Sequence, residues 1–353
     1  MNRFLILADG TVFKGKAFGA DTETIGELVF TTGMSGYQET ITDQSYNGQI
    51  INFTAPMIGN YGIAKKFNES EKPTAKGVLA REITEVVGNY QSEQTLDAYL
   101  KEEGIPGIYD IDTRAITLKI RNAGDMKAVI VNSPDADLVK QMPEWNLDKE
   151  QLKDSFRYKV EVFEAIGKHV VLLDFGFKQS IVRHLNTRGL KVTCVPGNYS
   201  FEQIKELRPE GILLSNGPGN PQDHEDVLET IRELQKNYPV FGICMGHQLL
   251  SLANGADTFK MKFGHRGFNH PVRHLDTGKI YFTSQNHGYA VRKESLENTD
   301  LEITQIEIND ETVEGVQHKK YQSFSVQYHP DATPGPHDSD FMFDHFLELL
   351  INK

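Results

Sequence analysis

At 353 residues the chain is long enough for two domains, and 39% hydrophobic residues is enough to fill ordinary cores. A net charge of −12, with no run of five or more basic residues, argues against a surface that tracks nucleic-acid phosphates. Two cysteines give no disulfide framework, and no stretch nears the roughly 18 apolar residues of a membrane-spanning helix.

The first ten residues are apolar only briefly before Asp9 and read as a strand and turn, not a signal peptide, so the expected location is cytoplasmic. Up to about residue 130, short strand patterns (Gly26–Phe30, Gln49–Phe53, Ala128–Val131) alternate with Gly, Pro and Asn punctuation. Helical patterns are fewer, at Gln94–Leu100 and Ala115–Ile120, so residues 1–150 are expected to form a mixed, β-rich domain. Residues 135–167 are charged and weakly periodic, and read as a small helical segment followed by a linker over 151–168.

The character changes at His169. Strands at Val170–Phe175, Lys191–Val195, Gly211–Leu214 and Pro239–Phe241 alternate with helices at Gln179–Thr187, around Phe201–Leu207 and at Val227–Lys236. That alternation predicts an α/β domain over 169–353 with a doubly wound, mostly parallel sheet. Ligands of such sheets collect at the carboxyl ends of the strands. The last helix, Asp340–Ile351, carries Phe343, Phe346, Leu347 and Leu350 on one face and is expected to pack into the core.

Two segments fall at such strand ends. Gly217-Pro218-Gly219 follows the strand at Ile212, and could present bare N–H groups to a ligand or serve as an ordinary turn. Gly242-Ile243-Cys244-Met245-Gly246-His247-Gln248 places a cysteine between two glycines where a strand turns into a helix expected from Gln248. A strand-to-helix elbow is expected to hold the thiol out, exposed, with helix N–H groups behind it that favour thiolate and aim at an oxyanion. For an isolated G-x-C-x-G, a buried cysteine in a helix-start turn is an equal alternative. A histidine base completes the requirement for nucleophilic catalysis, and Ser325-Val326-Gln327-Tyr328-His329-Pro330-Asp331 ends a strand with one. Cys244 and His329 are 85 residues apart, so only the fold can join them. Cys194, in a strand pattern, reads as inert core.

In family order, Ser215–Gly219, the Cys244 heptapeptide and His329-Pro330-Asp331 resemble the class I, triad-type glutamine amidotransferases. Lys260–Pro271 and Gln285–Ala290 resemble one branch, the small glutamine-hydrolysing subunits of carbamoyl phosphate synthetase. Phe30–Glu39, Thr42–Tyr46, Ile58–Gly62 and Asp110–Arg114 resemble that branch's own first domain, so the likeness runs nearly end to end.

The resemblance implies hydrolysis of the glutamine amide by Cys244, with His329 as base and Asp331 as its orienting acid. It implies that Ser45, Gly217, Gly219, Met245, Gln248, Asn286, Gly288 and Tyr289 hold the glutamine, Met245 through its oxyanion-binding N–H, with Ser45 reaching in from the first domain. The family usually has glutamate where Asp331 stands, and losing one methylene withdraws the carboxylate by about 1.5 Å. The implied partner is a large ATP-grasp subunit that binds ATP and Mg and makes carbamoyl phosphate from bicarbonate and ammonia. With no P-loop, this chain is expected to carry no cofactor itself. His247 is expected to pack behind the elbow. His265, His270 and His287 read as spread over loops, His337 follows Pro334-Gly335-Pro336, and none has metal-ligand spacing with a second Cys or His, so no metal is expected. The alternatives are another amidotransferase glutaminase, a free-standing γ-glutamyl hydrolase, or a catalytically impaired docking or regulatory subunit.

Overall fold

The computed structural model describes residues 1–147, 152 and 159–351. The chain divides into two compact units, 1–152 and 153–353. Part of the expected 151–168 linker lies outside the described residues.

In the first unit seven strands close a barrel. They are β1 (Asn2–Leu7), β2 (Val12–Gly19), β3 (Thr24–Thr31), β4 (Gln49–Phe53), β6 (Gly77–Leu79), β8 (Pro106–Tyr109) and β9 (Met126–Val131). A two-stranded ribbon, β5 (Met57–Ile58) with β7 (Glu82–Ile83), stands apart. Closure removes the exposed edges an open sheet would carry. The helix Thr113–Ala123 is fastened by Asn52, whose Nδ2 donates to Thr113 O at 3.0 Å and to Thr117 Oγ1 at 2.9 Å. Ser45 sits in a short 3₁₀ turn, Gln44–Tyr46, where its N–H donates to Asp43 Oδ1 at 2.9 Å. This N-cap bond gives the Asp-x-Ser sequence a local structural use.

The second unit is built on a ten-stranded sheet. Its core is five parallel strands in the order β12 (Lys191–Pro196), β11 (His169–Asp174), β13 (Gly211–Leu214), β14 (Val240–Ile243), β19 (Ser323–Val326). Side chains alternate along β11. Val170 and Leu172 join one cluster with the helices Gln179–Thr187 and Phe341–Ile351. Val171 and Leu173 join the opposite one with Phe201–Glu206, Leu228–Asn237 and Met245–Ala253. Strands apolar on both faces therefore force helices onto both faces, which is the doubly wound arrangement.

"Mostly parallel" is too strong for the whole sheet. Antiparallel strands extend it, with β10 (Glu161–Phe163) on one side and β18 (Val313–His318), β17 (Leu301–Glu307), β15 (Thr258–His274) and β16 (Ile280–Val291) on the other. β10 comes from the segment read as linker, because three residues with Val162 exposed between half-buried Glu161 and Phe163 carry no apolar periodicity. The long β15–β16 hairpin also corrects the sequence reading of the histidines. His265 and His270 lie on β15 and His287 on β16, not on loops.

Candidate active site

The parallel order puts β14 directly beside β19, with Ile243 opposite Val326. Cys244 follows one residue after Ile243, and His329 three residues after Val326. Two residues 85 apart in sequence thus leave the carboxyl ends of neighbouring strands. Cys244 N–H donates to Val326 O at 2.9 Å, which ties the elbow to the strand that carries the histidine.

Cys244 adopts φ 53°, ψ −101°, a conformation L-residues rarely hold. Such strain costs on the order of 1–3 kcal/mol and persists where the surroundings impose it. Here two glycines impose it. A Cβ on Gly246 would lie 2.2 Å from Leu214 O, and one on Gly242 would lie 2.7 Å from Gly246 O. The helix therefore starts at Met245, three residues before the expected Gln248, pressed onto β13 and β14. The elbow glycines serve backbone packing within the protein, and so does Gly217, whose Cβ would meet Phe175 O at 2.0 Å. Gly219, at φ 90°, is a conformational requirement.

The thiol is buried, not held out as expected: Cys244 is 2% exposed. Its surroundings are polar on the reactive side. Sγ lies 3.7 Å from Asn286 O and 3.7 Å from Gln327 Nε2. Gln248, also buried, donates to Gln327 Oε1 at 3.0 Å and to Tyr289 O at 2.8 Å. These contacts bring Asn286, Tyr289 and Gln248 around the sulfur, with Gly288 between the first two. Gln327 was missed because in sequence it is only the polar residue of an alternating strand.

Among helix N-terminal donors, Gly246 N–H is committed to Ser215 O at 2.9 Å. Met245, at the first helical position, has its N–H ahead of the first intrahelical bond, which runs from Gln248 N–H to Cys244 O at 3.1 Å. The Ser215–Gly219 loop has a second task. Asn216 Oδ1 accepts from Lys178 N–H at 3.2 Å and its Nδ2 donates to Gly176 O at 3.1 Å, so Asn216 pins the turn that carries Lys178.

Lys178 in turn governs Asp331. Asp331 Oδ2 accepts from Lys178 Nζ at 2.5 Å and Ser180 Oγ at 2.7 Å, all three being buried. Burial alone would raise its carboxyl, but the Lys178 charge and the His329 ring hold it well below the usual carboxylate range. Asp331 Oδ1 faces His329 Nδ1 at 3.6 Å, an ionic contact longer than a hydrogen bond. Burial alone would likewise depress His329. The field of Cys244 and the Asp331 carboxylate outweigh it and raise the imidazole to about 10. His329 is fixed from its backbone, whose N–H donates to Ser284 O on β16 at 2.8 Å. Lys178 and Ser180 escaped the sequence reading because they lie in an unremarkable helix start, some 150 residues from Asp331.

His247 is tied to β19. It is fully buried, bonds Ser325 Oγ through Nδ1 at 2.9 Å and is kept neutral by burial, which pulls it down to about 3. His265, His287 and Glu314 are brought within 4.8 Å of one another, a juxtaposition that sequence spacing could not reveal. Gln285 Oε1 fills the space between the rings, 2.7 Å from His265 Nδ1 and 3.0 Å from His287 Nε2. The outer nitrogens are engaged too, His265 Nε2 with Asp310 Oδ2 at 2.8 Å and His287 Nδ1 with Tyr289 O at 2.8 Å.

Comparison with known proteins covers both units. A family model for class-I glutamine amidotransferases matches residues 171–349, and one for the carbamoyl-phosphate synthase small chain, CPSase domain, matches residues 5–130. The carbamoyl phosphate synthase pyrimidine-specific small chain of Lactiplantibacillus plantarum is 56% identical over 350 residues, covering 99% of this chain and 96% of that protein. The carbamoyl phosphate synthase small chain of Streptococcus mutans is 54% identical with the same coverage, and that of Streptococcus agalactiae is 53% identical over 99% of this chain and 98% of that one.

Proposed function

The chain belongs to the carbamoyl-phosphate synthase small-chain family, and on that premise we propose that Cys244, His329 and Asp331 carry out its glutamine hydrolysis. The chain is a glutamine-hydrolysing subunit. The observation that carries the residue assignment is a strained cysteine at a strand-to-helix elbow beside a histidine whose acid partner is clamped by Lys178 and Ser180.

Cys244 Sγ attacks the side-chain carboxamide carbon of glutamine, and its proton passes to His329. The oxyanion is met by Met245 N–H and by an N–H of the Gly217–Gly219 loop, where Pro218 has none to give. The intermediate collapses as His329 protonates the departing nitrogen, releasing ammonia and leaving a γ-glutamyl thioester on Cys244. Water activated by His329 then cleaves the thioester to glutamate, restoring the thiol. Gln248, Asn286, Gly288 and Tyr289, gathered beside the sulfur, hold the substrate.

The partner is a large synthetase subunit that takes the ammonia and, with bicarbonate, ATP and Mg, makes carbamoyl phosphate. The pyrimidine-specific relative favours supply of pyrimidine synthesis over arginine synthesis. Work in the cytoplasm fits this role, and no helix among the described residues is long and apolar enough to cross a membrane. The test incubates the purified chain with glutamine, with and without a large subunit, and measures glutamate and a glutamyl adduct on Cys244. Activity that rises with the partner, and is lost in Cys244→Ala, supports the assignment. No glutamate under either condition would instead favour an impaired docking subunit.

A further inference from the structure

We propose that Glu314 is a positioning residue for glutamine binding, bracing both polar walls of the Cys244 site from behind. Glu314 lies on β18 and is fully buried. A buried carboxylate is costly unless its oxygens are hydrogen-bonded, so what it bonds is held firmly. Its side chain reaches one wall: Gln285 Nε2 donates to Glu314 Oε2 at 2.9 Å. Its backbone reaches the other: Gln327 N–H donates to Glu314 O at 2.9 Å.

Each wall ends at the nucleophile. From Gln285, the adjacent Asn286 presents its carbonyl to Cys244 Sγ at 3.7 Å. The Gln285 amide oxygen also engages His287, whose far nitrogen meets Tyr289 O at 2.8 Å. From Gln327, the side chain touches Cys244 Sγ at 3.7 Å and accepts Gln248 Nε2 at 3.0 Å. Gln248 closes the circuit by donating to the same Tyr289 O at 2.8 Å. One acid thus fixes the spacing between residues 286–289 and Gln248. His265, clamped by Asp310 at 2.8 Å and bonded to Gln285 Oε1 at 2.7 Å, holds the amide in the orientation that turns its N–H toward Glu314.

This inference rests on the reading that Asn286, Gly288, Tyr289 and Gln248 hold glutamine. It is tested with the complex of this chain and a large synthetase subunit, by glutamine-dependent steady-state kinetics. Glu314→Leu removes the acceptor of the Gln285 N–H that faces it, leaving that amide nitrogen only its bond to Thr283 Oγ1 at 3.1 Å, and is expected to raise KM for glutamine at least tenfold with kcat within about threefold. Glu314→Gln keeps an amide oxygen in place and is expected to restore both constants to within about threefold of wild type. An unchanged KM in Glu314→Leu, a fall in kcat without a rise in KM, or a Glu314→Gln variant as impaired as Glu314→Leu would overturn the proposal. Should Glu314→Leu not fold, Gln285→Leu removes the same link from its other end and must show the same KM signature. Wild-type complex without glutaminase activity, or Cys244→Ala that keeps it, would refute the parent reading instead, whatever the Glu314 variants do.

Discussion

Replacing Asp331 with alanine separates the orienting acid from the pair that makes and breaks bonds. At 3.6 Å, the contact from Asp331 Oδ1 to His329 Nδ1 is longer than a charge-assisted hydrogen bond. A full hydrogen bond to a charged group contributes roughly 1.5–3 kcal/mol, and each 1.36 kcal/mol is about tenfold in rate, so for this longer contact the loss in kcat/KM is expected to be no more than about 100-fold. Cys244→Ala removes the nucleophile and His329→Ala the proton carrier, and groups acting as a unit commonly cost on the order of 10⁴-fold or more. The deletion has a second consequence. It leaves Lys178, 3% exposed, without its carboxylate, and an uncompensated buried charge costs about 3–5 kcal/mol. Asp331→Ala is therefore expected to lose more thermal stability than Cys244→Ala. Glutamate release and Tm are measured on all three variants with the large subunit present. Equal losses of activity in the three would refute the ranking of roles, and an unchanged Tm in Asp331→Ala would refute the account of the Lys178 clamp.

Gly246→Ala drives a Cβ to 2.2 Å from Leu214 O, backbone that cannot yield, and is expected to unseat the elbow, lowering Tm and abolishing turnover together. His329 is raised to about 10, so the stability from its protonated form is full below about 6.5 and drains as pH rises through 10. Glutamine hydrolysis should fall along the same alkaline limb as the general acid is lost, and a limb near 6.5 would contradict the assignment. His247 has the opposite sign. Its folded value is pulled down to about 3, the unfolded chain binds the proton more readily below about 6.5, and stability is lost as pH falls from 6.5 towards 3. His247→Asn keeps a partner for Ser325 Oγ and cannot titrate, so its denaturant midpoint should fall less between pH 6.5 and 4 than that of wild type. Phe346→Ala, on the terminal helix face and fully buried, is expected to cost about 3–5 kcal/mol in denaturant unfolding without altering KM for glutamine.

Much of the second unit could be read in advance because its strands are apolar on both faces and its helices on one, a periodicity that local sequence carries unaided. The same held for Cys244, whose flanking glycines announce a tight strand-to-helix turn, and for the face of Phe343, Phe346 and Leu350. The β15–β16 hairpin did not announce itself. Its residues alternate irregularly across register shifts, so its histidines looked like loop residues.

What the fold alone decided is everything that depends on strand order. Placing β14 next to β19 brings Cys244 to His329, and the turn held by Asn216 brings Lys178 and Ser180 to Asp331. Burial, too, was invisible in the one-dimensional pattern. Nothing in Thr312-Val313-Glu314-Gly315 or in Gly246-His247-Gln248 marks the glutamate or the glutamine as buried. Sequence fixes which face a side chain takes along its own element, because that periodicity is local. Which charges lose their water is set by what packs against that face, and that comes from elements as much as 153 residues away.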